Sequence, residues 1–115
     1  MVKVNRGEIF LVNLEPVKGR EQGGIRPFLI IQNDISNEYS PLTIGAAITS
    51  IIKSTKFITN IPISKGKTGL DKDSIVLLNQ IKTIDKSRII KRIGSINKEL
   101  MMEIDTALKI SLDLD

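Results

Sequence analysis

The sequence predicts a mainly β fold in which a small, twisted, partly closed sheet carries one helix at its C-terminal end. Two observations lead there. Six short apolar or alternating segments, divided by turn residues, run through the first four-fifths of the chain. One strongly amphipathic stretch follows them, and a lone helix after a run of strands packs its apolar stripe on the sheet. The chain has 115 residues, 41% hydrophobic and 26% charged. That favours one globular domain, residues 1–115, with a core of its own.

The first strand is expected over Arg6 to Leu14, with Ile9 and Leu11 on one face and Phe10, Val12 and Leu14 on the other. Both faces are apolar, so the strand should be covered on two sides, and Pro16 ends it. Val17 to Ile25 is a loop longer than a hairpin needs. Phe28 to Gln32 reads as a strand buried on both faces. Asn33 to Pro41 is turn-rich, with one helical turn around Ser36 to Tyr39. Leu42 to Ser50 is the third strand, and its small residues Gly45, Ala46 and Ala47 imply a close neighbour, either the helix or a second subunit.

Ile51 to Thr55 is a connector. Phe57 to Ile63 alternates as a fourth strand, which Pro62 confines to a sheet edge or a bulge. Ser64 to Lys72 is a basic, glycine-containing turn. Ser74 to Leu78 is a fifth, deeply buried strand that continues to Ile84. A turn at Asp85 to Arg88 leads to a last strand, Ile89 to Ile93. The helix follows. Asn97 is a good N-cap, Glu99 favours the first turn, and Ile96 with Met101 can form a hydrophobic staple. Leu100, Met101, Ile104, Ala107, Leu108 and Ser111 mark its stripe; the Met101–Met102 pair reads as packing.

Composition excludes much chemistry. The chain has no cysteine and no histidine. Disulfides, thiolate catalysis, cysteine metal sites, the commonest general base and the usual serine activator are therefore all absent. Any enzyme here must work with Asp, Glu, Lys, Arg, Thr, Ser or Tyr, or with a carboxylate-bound ion. No window of about eighteen apolar residues exists, so no membrane span is expected, and the N-terminus lacks a signal-peptide core; the cytoplasm is the default. Net charge is +4, and the basic residues cluster between Lys65 and Lys98 while the segment beyond turns acidic. This permits a polyanionic partner. Aromatic content is only 3%, low for a module that binds RNA mainly by stacking, and at least two of the four rings should be core.

The stretch Glu21 to Asp34 stands out. Gly23 and Gly24 open backbone angles closed to other residues. Pro27 pushes Arg26 toward extended geometry, which sets a guanidinium, a planar fork suited to phosphate, at a strand end beneath a loop free to move. The alternative is a surface arginine where a loop enters a strand. Thr49, at the end of the third strand, can donate to a phosphate oxygen or to the backbone. Gln80, polar on an apolar strand, must be hydrogen-bonded if buried, and serves either structure or base recognition. Asp71 and Asp73 flank Lys72 without the spacing of a calcium loop and read as a solvated turn.

The blocks Arg6-Gly7-Glu8-Ile9-Phe10, Glu21-Gln22-Gly23-Gly24-Ile25-Arg26-Pro27, Ile30 to Asp34, Ala46-Ala47-Ile48-Thr49, Asp73 to Leu78 and Gln80 to Lys86 occur in one order. In this the chain closely resembles the MazF/PemK family of toxin endoribonucleases, in its Gram-positive form, from Val4 to Leu112. The resemblance implies an SH3-like (CcdB/MazF-type) β-barrel with a C-terminal helix, built as a homodimer. It implies cleavage of single-stranded RNA at a short sequence, without metal or ribosome, leaving 2′,3′-cyclic phosphate and 5′-hydroxyl ends. Arg26 and Thr49 take the family's catalytic positions. Val17 to Gly24, including Arg20, Glu21, Gln22, Gly23 and Gly24, takes that of the RNA-covering loop, and Gln80 that of a base-contacting glutamine. Glu21 is also a candidate base or a loop anchor. The implied partner is a MazE-like antitoxin with a disordered acidic tail. The sequence departs from the family at Arg20, Lys18, Asn79 and Lys82, positions where RNA preference could be set. Two rival readings are a gyrase-inhibiting toxin of the same fold, a non-catalytic binding module, and a passive RNA-binding barrel.

Overall fold

A computed structural model describes residues 2–50 and 57–115. The connector expected at Ile51 to Thr55 lies outside the described residues. The elements are β1 (Glu8–Asn13), β2 (Ile25–Ile30), α1 (Asp34–Tyr39), β3 (Leu42–Thr49), β4 (Asn60–Ile63), β5 (Ser74–Asp85), a 3-10 turn (Lys86–Arg88), β6 (Ile89–Ser95) and α2 (Lys98–Ser111). The strands form one sheet in the order β4-β5-β3-β2-β1-β6, antiparallel at every pairing.

The expected order of elements is the observed one, with instructive differences in extent. β2 begins at Ile25, so Arg26 and Pro27 are inside the strand. Pro27 is tolerated because β2 pairs with β3 only from Phe28 onward, while Pro27 lies across from Leu11 of β1. β4 begins at Asn60, three residues later than the alternation implied; Phe57 and Ile58 are exposed in a preceding turn. β4 is an edge strand, as Pro62 required. β5 is bent: its register against β3 shifts between Ala46↔Ile81 and Ile48↔Val76, which leaves Asn79 and Gln80 at the bend, outside the paired residues.

The sheet has a core on each face. Ile9, Leu29, Ala46, Ile48, Val76 and Leu78 pack with Ile104 and Ala107 of α2. Asn97 caps that helix, its side chain accepting from the Leu100 amide at 2.8 Å. On the other face lie Phe10, Val12, Leu14, Phe28, Ile30, Ala47 and Ile84. Phe10 and Phe28 are the two core rings; Tyr39 and Phe57 are exposed. Of the methionine pair, Met101 packs on the core and Met102 is exposed.

Of the small residues of β3, Ala46 packs on the α2 side, one of the two neighbours expected, and Gly45 has another neighbour. A Cβ on Gly45 would meet the Phe28 ring at 2.2 Å, so its close neighbour is the adjacent strand. The two edges of the sheet approach without a ladder. A Cβ on Gly69, in the turn after β4, would lie 2.2 Å from the Ile93 carbonyl of β6, and one on Gly94 would lie 2.1 Å from the Thr68 carbonyl. Backbone contact between two glycine positions thus brings the β4 end of the sheet onto β6 and gives it its partly closed form.

Candidate functional site

β3 ends and β2 begins at the same rim of the sheet. Their register pairs Phe28 with Ala47; continued two residues, it sets Arg26 across from Thr49. Residues across an antiparallel pair share a face. Arg26 and Thr49 line one cavity of about 610 Å³, with Ile25, Pro27, Ile48 and Ser50 from the same strand ends. Its far side is built by the 64–73 turn and β6, through Leu70, Asp71, Lys72, Lys91 and Arg92. Thr49 is buried and Arg26 half-buried. Arg92 is engaged by Glu8, whose carboxylate accepts from its Nε at 2.6 Å. The cavity is cationic, lined by Arg26, Lys72, Lys91 and Arg92 against the one carboxylate among its described residues, Asp71, and Ile48 and Thr49 are among its buried strand-end residues.

A second cavity of about 240 Å³ lies against β3 and β5. Glu21, Gln22, Asn79, Gln80 and Lys82 line it above Phe28 and Ala47. The loop from Glu15 to Gly24 crosses between the two cavities and is fastened on both sides. Arg26 Nε donates to the Gly23 carbonyl at 2.7 Å. The Gln22 amide donates to Gln80 Oε1 at 2.8 Å. Glu15 Oε1 accepts from the Gly24 amide at 2.6 Å, and Lys82 Nζ lies 3.8 Å from Glu21 Oε2. The paired glycines differ. Gly24 sits at φ +73, a left-handed conformation, with open space where a Cβ would go; at Gly23 a Cβ would meet two side-chain ends, Glu15 Oε1 at 2.6 Å and Val17 Cγ2 at 2.7 Å.

The residues singled out in the sequence thus divide. Arg26 and Thr49 share the large cavity; Glu21, Gln22 and Gln80 share the small one; Gly23 and Gly24 link them; Arg20 is exposed and lines neither. Gln80 has the structural role that was one of its two readings, and Glu21 faces Lys82. The 64–73 turn is solvated at Asp71 and Asp73, as expected, both being exposed; Asp73 also accepts from the Lys65 amide at 3.0 Å, and Asp71 borders the Arg26 cavity. Charge counting had flagged Lys72, Lys91 and Arg92 as part of a basic segment. Nothing local tied them to Arg26, because only the closing of the sheet brings β6 and this turn to the strand ends. Among the described residues, no cluster of acidic side chains could hold a metal ion, and no helix is long and apolar enough to cross a membrane.

What this arrangement can do is bind an anion at Arg26 with a hydroxyl donor beside it, under a strap that also reaches Gln80. Comparison with known proteins bears on the family and the fold. The sequence pattern described as PemK-like, MazF-like toxin of type II toxin–antitoxin system matches residues 5–112. A curated relative, the endoribonuclease MazF of Staphylococcus epidermidis, is 49% identical over 112 residues, covering 97% of this chain and 93% of its own. Among solved structures, MazF from Deinococcus radiodurans superposes with a TM-score of 0.84 at 20% identity, covering 99% of this chain and all (100%) of that one. A mycobacterial endoribonuclease in complex with its cognate antitoxin superposes with a TM-score of 0.78 at 22% identity, covering 100% of this chain and 98% of that one. At such identities these two structures speak for the fold.

Proposed function

Since the chain belongs to the PemK-like, MazF-like family of type II toxin–antitoxin toxins and is an endoribonuclease, we propose that Arg26 and Thr49 form its catalytic centre and cut single-stranded RNA through the substrate's own 2′-hydroxyl. The observation that carries this reading is the placement of Arg26 and Thr49 on adjoining strand ends, lining one cationic cavity.

RNA supplies the nucleophile. The protein has to hold the 2′-oxygen in line with phosphorus, stabilise the charge that builds on the phosphoryl oxygens and see the leaving 5′-oxygen protonated. Arg26 suits the second task. Its Nε is committed to the Gly23 carbonyl, which orients the guanidinium and leaves both terminal amino groups for the scissile phosphate. The Thr49 hydroxyl donates to the same phosphate and fixes its rotation. The products are a 2′,3′-cyclic phosphate and a 5′-hydroxyl, and no step needs a metal or a ribosome. Glu21 acts as an anchor of the loop through Lys82 rather than as the base. Arg20, Gln22, Gly23, Gly24 and Gln80 contact the RNA as the loop opens and recloses over it, with Gln80 exchanging the Gln22 amide for a base edge.

The cationic cavity and the loop beside it also fit the disordered acidic tail of a MazE-like antitoxin, which would occupy the path of the RNA. The active form is a homodimer in the cytoplasm. The test uses purified protein, end-labelled single-stranded RNA and EDTA, with the ends mapped. Sequence-restricted cuts bearing cyclic phosphates, abolished in a folded Arg26→Ala variant, are expected. Cleavage retained by folded Arg26→Ala would overturn the site, and intact RNA with the unaltered protein would overturn the reaction.

A further inference from the structure

The Arg26 cavity holds one feature that phosphate binding does not use. Among the described residues that line it, Asp71 is the single carboxylate, set among Arg26, Lys72, Lys91 and Arg92. A carboxylate accepts and never donates, so it repels a phosphate and answers only to a donor on the substrate. We propose that Asp71 is a specificity-determining residue that accepts a hydrogen bond from the amine of a nucleobase flanking the scissile phosphate, favouring adenine, cytosine or guanine over uracil at that position. This rests on the reading of Arg26 and Thr49 as the scissile-phosphate site.

Three observations carry the assignment. The first is room. A cavity of about 610 Å³ is of the size that takes a small organic ligand, so it holds more than the phosphate that Arg26 and Thr49 would grip. The second is rigidity. Asp71 follows a turn that is fixed from within and from outside. The Gly69 amide donates to the Gly66 carbonyl at 2.8 Å and the Gly66 amide to the Leu70 carbonyl at 3.1 Å. Thr68 Oγ1 donates to the Ser64 carbonyl at 2.7 Å, Leu70 is buried in the core, and Gly69 is pressed against Ile93 and Gly94. A base edge is read best from such a held position. The third is division of labour within the turn. Asp73 caps the Lys65 amide and Lys72 supplies charge, which leaves Asp71 facing the cavity.

The chemistry fixes which bases suit. Adenine, cytosine and guanine each present an exocyclic amine, to which a carboxylate pairs well. Uracil offers one ring N–H between two carbonyl oxygens, and those oxygens face a negative charge unfavourably.

The experiment is cleavage of an RNA pool randomised at the nucleotides flanking the cut, with cleaved and uncleaved fractions sequenced. With the unaltered protein, uracil should be disfavoured about tenfold at one flanking position, a discrimination typical of one base-edge contact. Asp71→Ala should flatten that position and leave the others unchanged. Asp71→Asn, which offers a donor as well as an acceptor, should accept uracil there. Asp71 is exposed, and a melting curve checks that both variants fold. An unaltered sequence profile in Asp71→Ala overturns the proposal. So does a uniform rate loss over all sequences accompanied by loss of the acid limb of the pH–rate profile, which would make Asp71 a base. Cleavage by Arg26→Ala is a separate result: it overturns the phosphate site itself.

Discussion

The side chain of Gln80 accepts a hydrogen bond from the backbone amide of Gln22 at 2.8 Å, across 58 positions of sequence. Two features make the contact possible. The bend of β5 takes Gln80 out of the paired register, and the glycines after Gln22 fold the loop back over the sheet. One strand is thereby tied to the loop that reaches Arg26.

Replacing Gln80 with Ala removes that tie. A neutral hydrogen bond of this kind is worth about 1 kcal/mol, and Arg26, Glu15 and Lys82 still hold the loop. The expected result is therefore local: faster amide hydrogen exchange at Gln22 and its neighbours, with the melting temperature of the sheet almost unchanged. Exchange as slow as in the unaltered protein would mean that the loop does not depend on Gln80.

Thr49 separates structural from chemical work. It is buried at the end of β3, and valine keeps its shape and branched Cβ while losing the hydroxyl. Thr49→Val should fold and cut RNA roughly 10²-fold more slowly, the usual loss for one donor at a developing charge. Thr49→Ser, which keeps a donor, should recover most of the rate. Equal rates for the three proteins in single-turnover cleavage would remove the hydroxyl from the chemistry.

How much of this was legible in the sequence follows the range of the signals. Alternation, Pro62 and the Asn97 cap are local, and from them came the succession of strands along the chain, the edge strand and the helix. The start of β2 was missed because Pro27 reads as a strand breaker until its partner strand is known to stop short. Phe57 alternates correctly with Ile61 and Ile63 yet lies in a turn. The site was half legible. Arg26 stood out by its proline and glycines, but its cavity is completed by Asp71 and Lys91 from opposite edges of the sheet. No period in the sequence encodes that meeting.

Asp85 sets a pH dependence away from the site. It caps the 3-10 turn, accepting from the Ser87 amide at 2.9 Å. Hydrogen bonds from the Ser87 amide and side chain, with a smaller contribution from the Arg88 charge, hold its carboxyl below the ordinary carboxylate range. A depressed folded-state pKa stabilises the protein above the unfolded-state value, and that stability is lost as pH falls through the folded-state value. Asp85→Asn keeps an acceptor for the cap and removes the titration. Melting temperature should therefore decline less steeply below the ordinary carboxylate pKa in Asp85→Asn than in the unaltered protein; parallel acid limbs would show that Asp85 contributes nothing to them.

The closure of the sheet rests on glycine, and this can be measured. Gly69 has φ +85, and a Cβ there would come within 2.2 Å of the Ile93 carbonyl and 2.9 Å of its carbon, both backbone atoms. Neither can swing aside as a side chain would. Gly69→Ala therefore carries two penalties: about 1 kcal/mol for a left-handed alanine and about 1–3 kcal/mol for the displaced backbone. Gly66, at φ +93 with open space around it, carries only the first. In urea unfolding, Gly69→Ala should lose clearly more stability than Gly66→Ala. It should also slow RNA cleavage, because the turn it displaces carries Asp71 and Lys72 on the far wall of the Arg26 cavity. If the two alanine variants are equally stable, β6 and the turn are not pressed together, and the cavity does not owe its far wall to that contact.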